Sequence, residues 1–299
     1  MTLITTSAAR PSDRPLVVIQ RNPRSGSGRS KGELRKLARR LKEHGFHVRM
    51  FSDRERLDDV VRTAETPPVA IVAAGGDGTV CDVFNRHQNL PIATLPLGTE
   101  NLLAKYLRIP KDGAALADVI AAGQQKRFDT GTLNGTRFLL MAGFGVDAAV
   151  VKTLDESRAG TISHLSYLQP ITRTFRKYDY VPVRAYLDGN PEPLVGCQIM
   201  VVNLPVYALQ MPFAANADGT DGLFEVRVFE KGSAFQMLKY LYKVRRRQHE
   251  QMPDVHCASA RSVRIEADTV VPAQVDGDPA GTTPAQIEMV PSSVVFVVP

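Results

Sequence analysis

A short β-type run at 16–20 (Leu-Val-Val-Ile-Gln) and an uninterrupted apolar run at 69–73 (Val-Ala-Ile-Val-Ala) read as strands, the second with the pattern of a buried one. Between them Leu34, Leu37, Ala38 and Leu41 recur at helical spacing with basic residues on the opposite face, and Gly45 is placed to end that helix. Residues 46–51 read as a second strand and 54–64 as a second helix. After 69–73 come a helix from Thr79 to about 86 and a strand at 92–95. This alternation predicts a doubly wound parallel sheet with helices on both faces, and ligands at the carboxyl ends of its strands. Beyond about residue 128 the pattern changes. Short β-type runs at 137–140, 181–187, 195–202, 223–229, 262–266, 286–289 and 294–298 are punctuated by Gly, Asn, Asp and Pro, which predicts an antiparallel β-rich domain. Helical patterns at 161–178 and 233–248 interrupt it. The expected organisation is a disordered leader at 1–14, an α/β domain at 15–128 and a β-rich domain at 129–291, with the last strand near 292–299 returning to the first domain.

Composition narrows the partners. The chain has 299 residues and a net charge of +6, which suggests an anionic partner: a nucleotide, nucleic acid or an anionic lipid surface. Cys81, Cys197 and Cys257 share no metal-ligand spacing and cannot all pair, which fits a reduced, cytoplasmic setting. No apolar run is long enough to span a bilayer, so any work on lipid is done from the surface. Lys239, Lys243, Arg245, Arg246 and Arg247 cluster around Leu238, Leu241 and Val244. The first reading of that run is a solvated helix face, and the second is a membrane-surface patch.

Glycine-rich turns sit where the strands end. Gly75-Gly76-Asp77-Gly78-Thr79 follows the strand at 69–73, and glycines there let backbone N–H groups approach a polyphosphate without Cβ interference. Thr79 offers a hydroxyl, or a cap, to the helix that follows. Asn22-Pro23-Arg24-Ser25-Gly26 reads as an anion-binding turn. Leu95-Pro96-Leu97-Gly98-Thr99-Glu100-Asn101 gives another polar turn, whose Asn101 can hydrogen-bond a base or ribose and whose Glu100 suits a cap. In Asp218-Gly219-Thr220-Asp221-Gly222-Leu223, two carboxylates on one turn can hold a hard cation. Asp276-Gly277 taken alone is a hairpin-turn pair. No histidine shows metal spacing.

Taken together and in order, N-P-x-S-G at 22–26, G-G-D-G-T at 75–79, P-L-G-T-x-N at 96–101 and D-G at 221–222 and 276–277 resemble the diacylglycerol kinase catalytic-domain family, which includes bacterial lipid kinases and sphingosine kinases. The resemblance runs from about Pro15 to near the end of the chain. It implies an N-terminal doubly wound α/β domain and a C-terminal antiparallel β-sandwich, with the active site in the cleft between them. It implies ATP held by Asn22, Ser25, Gly26, Gly75, Gly76, Asp77, Gly78, Thr79, Thr99 and Asn101. Mg²⁺ would accompany the nucleotide, and a structural Mg²⁺ would sit on Asp218, Asp221 and the Leu223 carbonyl. Asp276 would be the general base toward a lipid hydroxyl, assisted by Asp278, which stands where the family usually has Glu. Ala215-Asn216-Ala217 departs from the usual proline-led segment ahead of the metal turn. The implied partners are a membrane lipid substrate and a peripheral membrane surface, with no nucleic acid and room for a homodimer. The rival readings are a kinase of another lipid alcohol, an NAD kinase sharing G-G-D-G, and a binding protein that has lost catalysis.

Overall fold

The computed structural model describes residues 14–23, 30–156, 164–206 and 211–299, with backbone alone at 164–169. The chain divides into a unit of residues 1–127 and 294–299 and a unit of residues 128–293. The first unit opens β1 (Leu16–Arg21), α1 (Ser30–Glu43), β2 (His47–Phe51), α2 (Arg54–Thr63), β3 (Ala70–Gly75), α3 (Asp77–Arg86) and β4 (Ile92–Pro96). α4 (Leu102–Tyr106) and α5 (Gly113–Ala122) follow. The strands pair in parallel in the order β2-β1-β3-β4, and Phe296 of the returning last strand pairs beside Ile92 of β4. β3 and β4 are buried at every position, as strands covered on both faces must be. α1 turns Leu34, Leu37 and Leu41 into the core, and Gly45 follows it at φ +87°, a conformation glycine adopts without strain.

β5 (Gln125–Leu133) carries the chain into the second unit. That unit continues with β6 (Thr136–Phe138), β7 (Met141–Phe144), α6 (Val146–Glu156), α7 (His164–Lys177), β8 (Val183–Leu187), β9 (Leu194–Gly196) and β10 (Gln198–Val202). Then come β11 (Phe224–Phe229), α8 (Ala234–Arg245), β12 (Val255–Ala260), β13 (Ser262–Ala267), β14 (Pro272–Val275), β15 (Asp278–Thr282) and β16 (Ala285–Val297). One antiparallel sheet runs β12-β11-β10-β7-β14-β15, and the other contains β16-β13-β8-β9. Phe138, Phe144, Val201, Phe224, Val263, Ile265 and Val275 belong to a core fed by strands of both sheets. A second cluster, of Met200, Phe213, Phe229, Met237, Tyr240 and Val244, joins the first of these sheets to α8.

Two differences from the sequence pattern have plain causes. The single strand expected at 195–202 is two, β9 and β10, which pair in different sheets with Cys197 between them. Gly196 makes that corner possible, since a Cβ there would lie 2.5 Å from the Phe229 carbonyl. The two strands expected at 286–289 and 294–298 are one, β16, which bends through Ser292 at φ 49° and passes from the second unit into the first.

Candidate active site

The carboxyl ends of β1 and β3 are neighbours because the strand order reverses there: β1 leads outward to β2, and α2 brings the chain back to β3 on the other side of β1. In open α/β sheets that reversal opens a ligand crevice. The Asn22 N–H donates to the Ala74 carbonyl at 3.1 Å. Its Nδ2 donates to Thr79 Oγ1 at 3.2 Å, joining turns 57 residues apart. α3 begins at Asp77 with Gly76 as its N-cap, two positions before the pattern starts it, so Thr79 is a buried residue inside the helix rather than its cap.

Beside these turns lies an open cleft of about 530 Å³, lined by Gln20, Arg21, Asn22, Pro23, Ser52, Arg54, Gly76, Gly78 and Thr79. Its size is in the range of small-molecule sites. The N-terminus of α3 and the guanidinium groups of Arg21 and Arg54 make it suited to an anion. Asp82 braces this wall by accepting from Gln20 Nε2 at 2.5 Å and from Arg86 at 3.0 Å, with Arg54 3.3 Å away.

The glycines of this region serve different ends. A Cβ on Gly75 would collide with the Thr79 side chain within its own turn, while one on Gly98 would lie 2.5 Å from the Gly76 Cα, so the bare Gly98 lets the 75–79 and 97–101 turns touch. A Cβ on Gly78 would meet nothing within 4 Å. Asp77, expected at the nucleotide, accepts from the N–H groups of Leu102 and Leu103 at 2.9 and 3.1 Å and so caps α4, a role the sequence suggested for Glu100. Asn101, expected at a base or ribose, is buried at φ 49°; its Oδ1 accepts from Gly98 N at 2.9 Å and its Nδ2 donates to Gly98 O at 2.6 Å. Both side chains therefore shape the wall of the turn. Thr99 is exposed. Ser25 and Gly26 lie outside the described residues.

In the second unit, Asp276 and Gly277 form the two-residue turn of the β14–β15 hairpin, where Val275 pairs with Asp278. Both turn residues have positive φ, 50° and 87°, which is why Asp-Gly stands there. The Asp276 carboxylate accepts from Leu139 N at 2.7 Å, Leu140 N at 2.7 Å and Met141 N at 3.0 Å. A carboxylate offers about four acceptor directions, so most of this one is engaged in holding the hairpin to the 139–141 segment. Asp278 is exposed at the start of β15. The carboxylate expected to act as base is thus held by three N–H donors, while that of its neighbour Asp278 is on an exposed residue.

The acid turn at 218–221 is exposed, and its Asp218 Oδ1 accepts from the Thr220 hydroxyl at 2.8 Å while Asp221 Oδ1 accepts from Leu223 N at 3.0 Å. Sequence reasoning missed what supports it. Asp129, buried, accepts from Gly222 N at 2.8 Å and Ser292 N at 2.7 Å, and its own N–H donates to Gly219 O at 2.7 Å. Asn203, fully buried, donates from Nδ2 to the carbonyls of Asp129 at 2.9 Å and Leu139 at 2.7 Å. One backbone network thereby links the acid turn to the Asp276 clamp. The only sequence signal was a polar Asn and Asp beside apolar strand residues.

Both Oδ1 atoms bond within the turn, and a hard cation held here would be met by the carboxylates of Asp218 and Asp221. Among the described residues no three His, Cys, Asp or Glu side chains converge, so a cation here would take its other ligands from carbonyls and water. Asp221→Ala is expected to remove the Mg²⁺-induced rise in melting temperature, which for a hundredfold excess over Kd corresponds to about 2.7 kcal/mol. An unchanged response to Mg²⁺ in a calorimetric scan would count against the site.

A narrow apolar slot of about 40 Å³ lies among Met200, Phe213, Phe229, Met237, Tyr240 and Leu241, with Asp147 and Gln198 at its polar end. Asp147 Oδ1 accepts from Gln198 Nε2 at 2.6 Å and Oδ2 from Gln274 Nε2 at 3.1 Å. Burial pushes this carboxyl above its ordinary value, against the pull of the two amides.

Two family models match the chain: "Diacylglycerol kinase catalytic domain" over residues 15–133 and "YegS C-terminal NAD kinase beta sandwich-like domain" over residues 141–298. The second alone spans more than half of the chain. This protein belongs to the diacylglycerol kinase catalytic-domain family. A diacylglycerol kinase of Staphylococcus aureus (strain MRSA252) is 26% identical over 275 residues, covering 88% of this chain and 86% of the relative. One from Staphylococcus saprophyticus is 24% identical, covering 88% of each. The crystal structure of a putative diacylglycerol kinase from Bacillus anthracis str. Sterne superposes with a TM-score of 0.74 at 21% identity, over 96% of this chain and 97% of that one, and so shares the fold.

Proposed function

We propose that this family member is an ATP-dependent lipid kinase that transfers the γ-phosphoryl group to a lipid hydroxyl, with diacylglycerol giving phosphatidic acid as the default reaction. The observation that carries the reading is the cleft at the β1/β3 reversal, where the Asn22–Thr79 bond, the N-terminus of α3, and Arg21 and Arg54 surround a space suited to a polyphosphate. The names of the relatives support diacylglycerol as acceptor. ATP supplies the phosphoryl group, and its Mg²⁺ neutralises charge that develops on it. In this reading Gly76 and Gly78 let the backbone meet phosphate, while Asp77 and Asn101 keep the turn in shape. Asp278 accepts the proton of the acceptor hydroxyl, and Asp276 holds the hairpin that presents it.

The rival acceptor on the same fold is a sphingoid base. The two are separated by initial rates with diacylglycerol, monoacylglycerol, sphingosine and NAD, each offered with ATP and Mg²⁺ in the same mixed micelles. The highest kcat/KM is expected with diacylglycerol. Preference for sphingosine would move the reading to the second acceptor, and turnover of NAD alone would overturn both.

A further inference from the structure

Most surface helices turn charge outward and apolar residues inward. α8 has apolar residues on both sides. Met237, Tyr240 and Val244 are buried, while Phe235, Leu238 and Tyr242, at spacings of three and four, are 78%, 61% and 60% exposed. Nothing in the fold of the helix requires that outer stripe. Ser233 caps it, accepting from Gln236 N at 3.1 Å, and Tyr240 anchors it by donating to the Asp254 carbonyl at 3.3 Å.

The charges beside the stripe have one sign. From Gly232 to His249 the sequence contains no Asp or Glu. Lys239, Arg245 and Arg246 are exposed on the same side as Phe235, Leu238 and Tyr242. The nearest acids beyond that stretch are engaged elsewhere: Asp254 lies 3.5 Å from Lys231, Glu250 2.7 Å from Arg227, and Glu230 3.6 Å from His256. An aromatic and aliphatic stripe rimmed by Lys and Arg is the chemistry of a helix lying in the interface of an anionic bilayer. A second copy of this chain fits poorly, since a two-fold interface would set the basic rim against itself. The inner face of the same helix supplies Met237, Tyr240 and Leu241 to the apolar slot, so the stripe and the slot are opposite sides of one element.

We propose that the outer face of α8 is a bilayer-docking surface, on which Phe235, Leu238 and Tyr242 enter the headgroup–acyl boundary of an anionic membrane and Lys239, Arg245 and Arg246 bind its phosphates. The proposal gives the lipid-kinase reading its route to substrate, but binding to vesicles can be measured without turnover, so the two fail separately.

The chain contains no tryptophan, so Phe235→Trp provides a single fluorophore on the stripe. Its emission is expected to shift to the blue on adding phosphatidylcholine vesicles containing phosphatidylglycerol, and to be quenched by bromine-labelled acyl chains. In that background, replacing Lys239, Arg245 and Arg246 by Gln should weaken vesicle binding by about a hundredfold, at roughly fivefold per charge lost. Leu238→Ser should weaken it by about tenfold, and both variants should retain the wild-type rate on a short-chain soluble acceptor. Unchanged emission with anionic vesicles, or binding indifferent to these substitutions, would overturn the proposal. So would a blue shift that depends on protein concentration and not on lipid, which would mean that a second copy covers the stripe. Turnover of the short-chain acceptor without any vesicle binding would leave the kinase reading standing and remove the docking surface.

Discussion

Gly78→Ala is expected to lower ATP-dependent turnover by about 10²-fold or more while leaving the protein at least as stable as wild type. A Cβ at this position meets no protein atom within 4 Å, and Gly78 lies within α3, where Ala is the better helix former by roughly 1 kcal/mol. The folded protein therefore has no reason to object. A phosphate approaching the N-terminus of α3 does, because a displacement of about 1 Å at the reacting group can cost a factor of 10². Gly75→Ala is the control with the opposite signature, since its Cβ would collide with Thr79 and strain the fold itself. Thermal melts and ATP titrations of the two variants separate the cases. Wild-type ATP affinity in Gly78→Ala would place the nucleotide elsewhere.

The second large effect concerns the acids of the β14–β15 hairpin, which are expected to fail in different ways. Asp276→Asn puts an NH₂ group where a carboxylate oxygen now accepts from Leu139 N, or from Leu140 N and Met141 N. Donor then faces donor in a partly buried site. The expected loss is about 2–4 kcal/mol, a fall in melting temperature of roughly 5–15 °C for a domain of this size. Asp278 is exposed, so Asp278→Asn should melt within about 0.5 kcal/mol of wild type. Its kcat should fall about 10²-fold, the scale of a lost general base, with ATP binding unchanged. If Asp276→Asn melts like wild type and loses kcat while Asp278→Asn stays active, the proton goes to Asp276 and the assignment made here is reversed.

The first unit was legible along the chain because its central strands β1, β3 and β4 are mainly apolar runs and each glycine-rich or polar turn directly follows one. Parallel strands buried on both faces write themselves that way. The motifs at 22–26, 75–79 and 96–101 also stand at strand ends, and two of these joints are visible as the Asn22–Thr79 bond and the Asp77 cap on Leu102 and Leu103. What could not be read was the division of labour inside the motifs. That Asp77 and Asn101 bind backbone follows from how closely the 75–79 and 97–101 turns approach, and close approach leaves no periodic mark in a sequence.

The second unit was read less well for the same reason. Its strand at 195–202 breaks at Cys197 because two sheets must be joined there, and no local propensity distinguishes that corner from a continuous strand. Asp129 and Asn203 went unnoticed because each acts through carbonyl and N–H groups far away in sequence, at 93 and 163 residues for Asp129. Asp276 was singled out by family resemblance, and the hydrogen bonds that occupy its carboxylate come from residues more than 130 positions earlier.

The most direct test follows the γ-phosphate. Wild-type protein is incubated with ATP labelled at the γ position, Mg²⁺ and diacylglycerol in mixed micelles, and the chloroform-soluble products are separated. The account predicts label in phosphatidic acid, none there when the label is at the α position, and loss of the product in Gly78→Ala. Label that never enters the lipid phase with any lipid alcohol, while the protein binds ATP with ordinary affinity, would contradict it and leave a nucleotide-binding protein without this chemistry.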